Sequence, residues 1–353
     1  MNNNYYIDSK QLGIFLNRLN DNFRVFVPAV KEEEGSKEPD YFYKNLSDNQ
    51  DLVFNPYRSV EPLKSFFTSP QERISTYFTA KSIIETPAKT VIFGLKNCDL
   101  VGHKIQDFVF LEGVEKDTLY RLKRENTIFI SGDCTDFKEV CHCLAWNIMP
   151  YPKEGFDINI SPLNDGFLLE VGSEKGWQLI QQFKEYFILA KEAQIATRRL
   201  KRESLVERLK NHLDPQNLVP KDKVQEIVKS GYDADTWQQF MLTCVECGGC
   251  NLICDTCHCF LIDDVKEKNQ NAKVRVWDSC LYANYARVAG GANPLKLRKQ
   301  RLRNRFMKKF DFFVENLGMP ACCGCGRCIE VCPGKIDIRE VLKDLAKKAG
   351  SKQ

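Results

Sequence analysis

The sequence contains no long hydrophobic run, and its first residues predict no signal peptide. No apolar stretch approaches the roughly 18 residues that are needed to span a bilayer. Residues Met1–Asn4 lead directly into polar, mixed sequence, without the apolar core of a secretory signal. We therefore expect a cytoplasmic protein that does not enter the membrane.

The sequence also lacks the glycine motifs that bind nucleotides. It has no G-x-G-x-x-G after a strand and no G-x4-G-K-[ST], so neither a Rossmann nor a P-loop phosphate site is predicted. No Ser/His/Asp or Cys/His catalytic set is evident, and a net charge of +4 is too small to indicate nucleic acid as a partner. We expect a chain that binds no NAD and makes no bonds by itself.

The sequence is instead rich in cysteine, with 16 cysteines among 353 residues. In a reducing compartment, thiols in this number serve as metal ligands rather than as disulfides. Eight of them form two runs with the spacing C-x2-C-x2-C-x3-C, and Pro333 follows the second run. This spacing is the signature of bacterial ferredoxins, which bind [4Fe–4S] cubanes.

The fourth cysteine of each such run ligates the other cluster in two-cluster ferredoxins. This rule predicts site 1, formed by Cys244, Cys247, Cys250 and Cys332, and site 2, formed by Cys322, Cys325, Cys328 and Cys254. The alternative is a pair of structural zinc sites, which commonly use two separated C-x2–4-C pairs. Three cysteines at successive steps of three are more typical of a cubane.

Residues 1–190 alternate between strand and helix patterns, which predicts an α/β domain with a mixed or parallel sheet. Short runs rich in Ile, Val and Phe predict strands at Thr90–Gly94, Thr127–Ser131 and Gly166–Val171. Helices are predicted at Gln11–Leu19 and Trp177–Leu189.

Four cysteines of this domain follow the predicted strands. Cys98 and Cys134 each come just after a strand, and the motif Cys141-His142-Cys143 lies close behind. The carboxyl ends of parallel strands meet at one edge of a sheet, where ligand sites gather. The pattern predicts site 3, a third [4Fe–4S] cluster held by Cys98, Cys134, Cys141 and Cys143. The alternative is that these are small buried apolar residues.

Four cysteines remain, and they define site 4, a candidate for a fourth cluster: Cys257, Cys259, Cys280 and Cys323. The alternative is that they are structural thiols packed against the cubanes, with Cys323 incidental. His142 and His258 lie between the cysteines of the two C-x-C motifs, where they either ligate iron or act as exposed spacers.

The C-terminal half is predicted to be helical. A charged helix or helix pair at Ile188–Leu213 and a helix at Lys221–Lys229 form a connector, which we place at residues 191–234. Residues 235–350 then form the second domain, in which residues 255–321 separate the two cysteine runs. This gap contains few strand-like patterns, and helices are predicted at Ser279–Ala289 and Leu295–Leu317. These features predict an α-helical ferredoxin-type domain.

The segment Lys296–Lys309 holds eight basic residues: Lys296, Arg298, Lys299, Arg301, Arg303, Arg305, Lys308 and Lys309. The simplest interpretation is a solvated helix face. The alternatives are a docking surface for an acidic partner, a positive field that raises cluster potentials, or nucleic-acid binding.

Several motifs together resemble the iron–sulfur beta subunits of soluble NAD(P)-linked hydrogenases and sulfhydrogenases, and the corresponding iron–sulfur subunit of anaerobic sulfite reductase. The motifs are Gly94–Leu100, Cys134 with Cys141-x-Cys143, Cys244–Cys259, Arg275–Cys280, Ala289–Asn293 and Cys322–Pro333. The resemblance implies a subunit that passes electrons through [4Fe–4S] clusters, with FAD and NAD(P) on a partner subunit that oxidises NAD(P)H and carries flavin or [2Fe–2S]. It also implies a separate catalytic hydrogenase or reductase subunit.

The sequence departs from this family at two places. Asp255 follows Cys254 where the family usually has proline, and a carboxylate near a cubane disfavours addition of an electron. Histidine replaces the usual aromatic residue within both C-x-C motifs. Both changes affect local potential rather than the fold.

We therefore predict an electron-transfer subunit of a cytoplasmic multi-subunit oxidoreductase. The first alternative is an iron–sulfur enzyme that reduces a small sulfur substrate directly, near Cys257-His258-Cys259. The second is a nucleic-acid-binding module in which the clusters are structural.

Overall fold

The structure is a computed structural model that describes residues 4–31, 38–46, 52–77, 86–266 and 271–350. Its strands are β1 (Asn4–Asp8), β2 (Arg24–Lys31), β3 (Asp40–Asn45), β4 (Gln71–Thr76), β5 (Thr90–Leu95), β6 (Thr127–Gly132), β7 (Ile158–Pro162), β8 (Gly166–Val171), β9 (Ile188–Leu189), β10 (Phe260–Lys266) and β11 (Asn271–Trp277).

The helices of the first half are α1 (Ser9–Leu19), α2 (Asn97–Asp107), α3 (Thr118–Glu125), α4 (Glu174–Gln182) and α5 (Glu192–Leu213). Those of the second half are α6 (Lys221–Ser230), α7 (Thr236–Met241), α8 (Gly249–Leu252), α9 (Arg298–Met307), α10 (Phe313–Leu317), α11 (Arg327–Glu330) and α12 (Ile338–Gly350). A π-helical turn, Lys308–Phe312, joins α9 to α10.

The N-terminal part is built on an eight-stranded mixed sheet in the order β3-β2-β5-β6-β7-β8-β1-β9. Strands β2, β5, β6 and β7 are parallel, with Val91 beside Ile128 and Ile130 beside Ile158, and the outer pairs are antiparallel. Every residue of β6 is buried, because helices cover the parallel strands on both faces. The predicted α/β sheet is confirmed.

The predicted N-terminal helices are confirmed in part. In α1 the buried residues Leu12, Phe15, Leu16 and Leu19 pack on the sheet. The helix predicted at Trp177–Leu189 is wrong beyond α4, because Ile188 and Leu189 pair with Tyr6 and Tyr5 of β1 as strand β9. This pairing adds β9 to the edge of the sheet. It depends on β1, a distant part of the chain, so the local sequence pattern does not predict it.

The helical prediction for the gap between the cysteine runs is wrong over Phe260–Trp277. Strands β10 and β11 form an antiparallel hairpin there, and β11 also pairs with β4 from the first half of the chain. Residues 279–289 form turns and bends rather than a helix. The helix predicted at Leu295–Leu317 is confirmed as α9, the π-helical turn and α10.

A second hydrophobic core joins the two halves of the chain. Leu209 of α5, Val228 of α6, Phe306 of α9 and Val341 of α12 are buried in it. Trp146, from the α/β part, stacks on Phe310 with ring centroids 5.2 Å apart. The hydrophobic core therefore continues across the predicted connector, residues 191–234. The division of the chain into domains remains a prediction.

Among the described residues, no helix is both long and apolar enough to cross a bilayer.

Candidate metal centres

The two cysteine runs fold into the same local structure. In each, a glycine with positive φ, Gly248 at 73° or Gly326 at 74°, precedes a one-turn helix, α8 or α11. Glycine adopts this left-handed conformation without the steric cost of a Cβ. Helices α8 and α11 contact each other, so the two runs face one another.

The site 1 cysteines surround one cavity. Its lining contains Cys244, Cys247 and Cys250 from the first run and Cys332 from the second. Leu281, Leu302 and Phe306 supply an apolar wall. The backbone N–H of Ile336 donates to Cys332 Sγ at 3.4 Å, the kind of hydrogen bond that tunes cluster sulfur. The structure brings these four cysteines together.

The structure also brings Cys254 of the first run to the second run at site 2. Burial raises the pKa of Cys322 and of Cys328 to about 12, and the charge of Cys254 adds to both shifts. A hydrogen bond from the Cys257 thiol, with help from Lys309, lowers the pKa of Cys254. The exchange of fourth cysteines that the spacing predicts is therefore present in the geometry.

Within the described residues, no three His, Cys, Asp or Glu side chains converge tightly enough to hold a single metal ion. A cubane takes each thiolate at a separate corner, one iron per cysteine.

Three cations of the basic segment point into the protein toward these cysteines. Arg301, Arg305 and Lys309 are 3–5% exposed and are spaced four residues apart on one helical face. Lys309 Nζ donates to Cys254 Sγ at 3.4 Å, and the charge of Arg305 interacts with Cys250 and Cys328. We call these three residues the cation stripe. The interpretation as a solvated face is wrong for them, whereas Lys296, Arg298 and Lys299 are exposed.

Three buried guanidinium nitrogens have no hydrogen-bond partner among the described residues. They are Nε of Arg275 and, beside the cysteines of sites 1 to 3, Nη2 of Arg305 and Nη1 of Arg58. Arg305 faces cysteines of sites 1 and 2, and Arg58 interacts with Cys141 and Cys325. Unpartnered buried donors are rare. These donors fit an anionic group between the thiols, and a cubane bound by four thiolates is such a group.

Site 3 lies at the carboxyl edge of the parallel strands, as predicted. Cys98 is the second residue of α2, the helix that follows β5, and Cys134 follows β6, the neighbouring parallel strand. The charge of Cys134 raises the pKa of Cys98 and of Cys143, although burial is the largest cause for both thiols. Cys141 interacts with Cys134 in the same way. The four predicted cysteines are therefore neighbours.

Sites 2 and 3 are adjacent, because the backbone of the C-x-C loop of site 3 packs closely against the backbone of the second cysteine run. The N–H of His142 donates to the carbonyl of Gly324 at 2.8 Å. A Cβ on Gly324, whose φ is 65°, would lie 2.6 Å from the backbone of Cys143. Only glycine allows this contact. The C-x-C loop of site 3 and the second cysteine run consequently pack as one unit.

The structure brings together three of the four cysteines of site 4. Asn251 donates through Nδ2 to Cys280 Sγ at 3.2 Å, and Cys257 Sγ lies 3.6 Å from Asn251 Oδ1. Cys259 interacts electrostatically with Cys280. Cys323 instead forms a hydrogen bond with Cys325 and interacts with Cys98. Cys323 therefore lies beside sites 2 and 3, whereas the sequence grouped it with the other cysteines of site 4.

Asp255 is completely buried and paired. Arg327 Nη1 lies 3.2 Å from its Oδ2, and the backbone N–H of Lys64 donates to Oδ1 at 3.0 Å. Burial raises the pKa of Asp255 well above its usual range, and Arg327 opposes that shift. Its carboxylate is therefore not the isolated negative charge that the sequence suggests.

The two histidines between C-x-C cysteines are not exposed spacers. His142 is 2% exposed and its Nδ1 lies 2.9 Å from the carbonyl of Val140. Burial lowers the pKa of His142 and of His258 to about 4. Both imidazoles are therefore neutral at pH 7.

The sequence interpretation missed four buried cations around the sites: Arg58, Lys64, Lys96 and Arg327. Lys96 and Arg327 had a local signal, because they lie within cysteine motifs. Arg58 and Lys64 have none, since only the fold brings them to Cys325 and Cys257, whose carbonyls they bind at 2.9 and 3.0 Å.

Two comparisons with known proteins agree with this geometry. Residues 243–336 match the protein-family model described as a 4Fe-4S dicluster domain. Over 333 residues the chain is 28% identical to sulfhydrogenase 2 subunit beta of Pyrococcus furiosus, with 94% of this chain and 95% of the relative covered. Both cysteine runs lie inside the matched domain. The chain is thus an iron–sulfur protein with a 4Fe-4S dicluster domain, and its resemblance to the iron–sulfur beta subunits of hydrogenases is confirmed.

Proposed function

We propose that this chain is an electron-transfer subunit of a cytoplasmic multi-subunit oxidoreductase. Electrons enter from a partner that carries flavin or [2Fe–2S] and oxidises NAD(P)H, and they leave to a catalytic hydrogenase or to a sulfite or sulfur reductase. FAD and NAD(P) belong to the partner. The relative from Pyrococcus furiosus is itself a subunit of a sulfhydrogenase, which supports this role.

The observation that carries the proposal is the contiguous row of sites 1, 2 and 3. Cys328 of site 2 lines the site 1 cavity, and Cys98 of site 3 interacts with Cys325 of site 2. At one end Cys247 is exposed. At the other, Cys134 borders an open groove with Arg202 and Arg208. A row of redox centres with both ends near the surface suits transfer through the protein.

Each site would hold one [4Fe–4S] cluster, which supplies one-electron transfer. The chain provides thiolate ligands, apolar walls that exclude water, and buried cations that offset the cluster charge. The α-helical ferredoxin-type fold of residues 235–350, with the β10–β11 hairpin as an addition, and the domain boundaries at 190 and 235 form part of this proposal.

Anaerobic purification followed by iron and sulfide counting tests the proposal. Three cubanes predict about 12 iron atoms per chain, and the clusters should give EPR signals after dithionite reduction and lose them on reoxidation. Colourless, zinc-loaded protein, or clusters that remain silent under dithionite, would contradict it.

Direct reduction of a small sulfur compound is the second candidate function. A small pocket beside Cys257 and Cys259 is also lined by Lys64, whose positive charge favours an anion, and by Arg275, which is paired with Glu72 and Asp117. Cys280 interacts with Cys259 beside this pocket. Turnover of sulfite or polysulfide by the reduced, isolated chain would favour this candidate, and its absence would favour the carrier role.

A further inference from the structure

The ligands of site 1 include a surface residue, whereas the other sites are more enclosed. All sixteen cysteines lie within the described residues, and Cys247 alone is exposed. Cys98, Cys141 and Cys143 of site 3 and Cys254 and Cys325 of site 2 are buried. A cluster at site 1 would therefore exchange electrons most directly with a molecule at the surface.

Exposed apolar side chains occur within or just before the two cysteine runs that carry the ligands of site 1. Leu242 is 67% exposed, Val245 is 63% exposed and Val331 is 39% exposed. Val331 and the Sγ of Cys247 both lie within 4 Å of the position that a Cβ on Gly249 would take, and Val245 lines the site 1 cavity. We call Leu242, Val245, Cys247 and Val331 the Cys247 face. Contiguous exposed apolar residues of this kind mark interaction surfaces.

The rim of the Cys247 face is basic. Arg298 is exposed and donates through Nη1 to the carbonyl of Cys244 at 3.0 Å. Lys335 is exposed, and its backbone N–H donates to the carbonyl of Cys332 at 3.1 Å. The nearby acid Glu246 is paired with the buried Arg301, so it does not neutralise the rim. The charge of this surface is complementary to an acidic partner.

We propose that the Cys247 face is the docking surface for an acidic electron-transfer protein that carries its own redox centre close to its surface. One electron leaves the reduced centre of the partner and enters site 1, and no bond is made or broken. This inference rests on the proposed function, because it requires a redox-active cluster at site 1.

The experiment measures how fast the dithionite-reduced holoprotein is reoxidised by two small probes of opposite charge. Ferricyanide is an anion and hexaammineruthenium(III) is a cation. The double variant Arg298→Glu/Lys335→Glu should react about tenfold more slowly with ferricyanide and faster with the cation. In the wild type, added salt should slow the reaction with ferricyanide, because it screens the basic rim.

The matched control is Lys10→Glu/Lys210→Glu, which makes the same charge change at exposed positions of α1 and α5. It should react with both probes at wild-type rates. If the control and the rim variant behave alike, or if salt has no effect, the docking surface is not at the Cys247 face. Clusters that are reduced by dithionite in all variants show that the proposed function still holds in that case.

A protein probe tests docking itself. An acidic plant-type [2Fe–2S] ferredoxin, reduced electrochemically, should transfer electrons to the oxidised wild type in a salt-sensitive reaction. Val331→Asp places a negative charge on the Cys247 face at a residue that does not line the site 1 cavity, so it should slow this transfer while leaving the iron content unchanged. Failure of the wild type to accept electrons from the ferredoxin, or equal rates for Val331→Asp, would overturn the proposal.

Discussion

The guanidinium of Arg327 lies 2.6 Å from the carboxylate of Asp99, and each side chain is 1% exposed. Arg327 precedes Cys328 of site 2, and Asp99 follows Cys98 of site 3. Arg327 also pairs with Asp255, which follows Cys254. One buried cation therefore joins the chain segments that carry cysteines of two sites, and it fixes their relative position.

Replacement of Arg327 by Leu should be strongly destabilising. It leaves Asp99 and Asp255 buried without their cation, a change that typically costs about 3–5 kcal/mol. The apparent unfolding midpoint in guanidinium chloride, measured anaerobically, should fall, and the iron content should fall with it.

The matched control for the Arg327 variant is Arg18→Leu, which removes an ion pair with Asp21. This pair is solvent-exposed, because the side chain of Arg18 is 65% exposed and that of Asp21 is 53% exposed. Exposed pairs contribute about 1 kcal/mol or less. Equal losses for the two variants would show that the buried pair does not hold the sites together.

The cation stripe should set the potential of site 2. Lys309 contacts Cys254 Sγ, and Lys309→Met removes its positive charge while keeping most of its length. A unit charge about 8 Å away contributes about 2 kcal/mol at an effective dielectric constant near 20, so the potential should fall on the order of 100 mV. An EPR-monitored redox titration measures the shift.

Lys299→Met is the control, because Lys299 is an exposed residue of α9, the helix that continues into the turn with Lys309. Solvent screens its charge, so its replacement should change the potential far less. A Lys309 variant with the wild-type potential would mean that the stripe serves packing alone.

Much of the site could be predicted from sequence because cysteine spacing is a local property. The exchange of Cys254 and Cys332 between the two runs follows from the ferredoxin pattern, and the structure has that arrangement. The neighbouring positions of Cys98 and Cys134 follow from two parallel strands, β5 and β6. Which cysteines become neighbours can be predicted here from the order of strands and cysteines along the chain alone.

The features that sequence did not predict depend on long-range contacts. The β10–β11 hairpin forms a sheet with β4, some 200 residues earlier in the chain, so its local pattern was ambiguous. Arg305 and Lys309 looked like parts of a solvated basic face, because burial of a cation depends on thiolates supplied by other segments. The separation of Cys323 from Cys257 has the same origin.

Site 3 should lose its cluster when Cys98 is replaced by Ser. Iron should fall by about four atoms per chain, since one cubane holds four irons. Cys323→Ser is the control: it removes a buried cysteine that forms a hydrogen bond with Cys325 but belongs to none of the three proposed cubanes. Its iron content should stay at the wild-type level. If Cys98→Ser retains all its iron, site 3 is not a cluster site.

His103 should make stability depend on pH below neutrality. It is 2% exposed, and burial lowers its pKa to about 3, from an ordinary value of 6.5. The hydroxyl of Tyr120 donates to Asp107 at 2.6 Å, so His103 Nε2, 3.1 Å from that oxygen, carries the hydrogen and donates to it. The folded protein therefore keeps His103 neutral and uses it as a hydrogen-bond donor.

As pH falls below 6.5, the unfolded chain takes up a proton at His103 that the folded chain does not. Stability should consequently fall by about 1.4 kcal/mol per pH unit from this residue between about pH 6 and pH 4. His103→Gln keeps a donor near the Tyr120 oxygen but does not titrate. The difference in unfolding midpoint between the wild type and His103→Gln should therefore change steadily in favour of the variant as pH falls. Parallel pH profiles for the two proteins would mean that His103 is already protonated in the fold, because only a histidine that gains its proton on unfolding can produce the divergence.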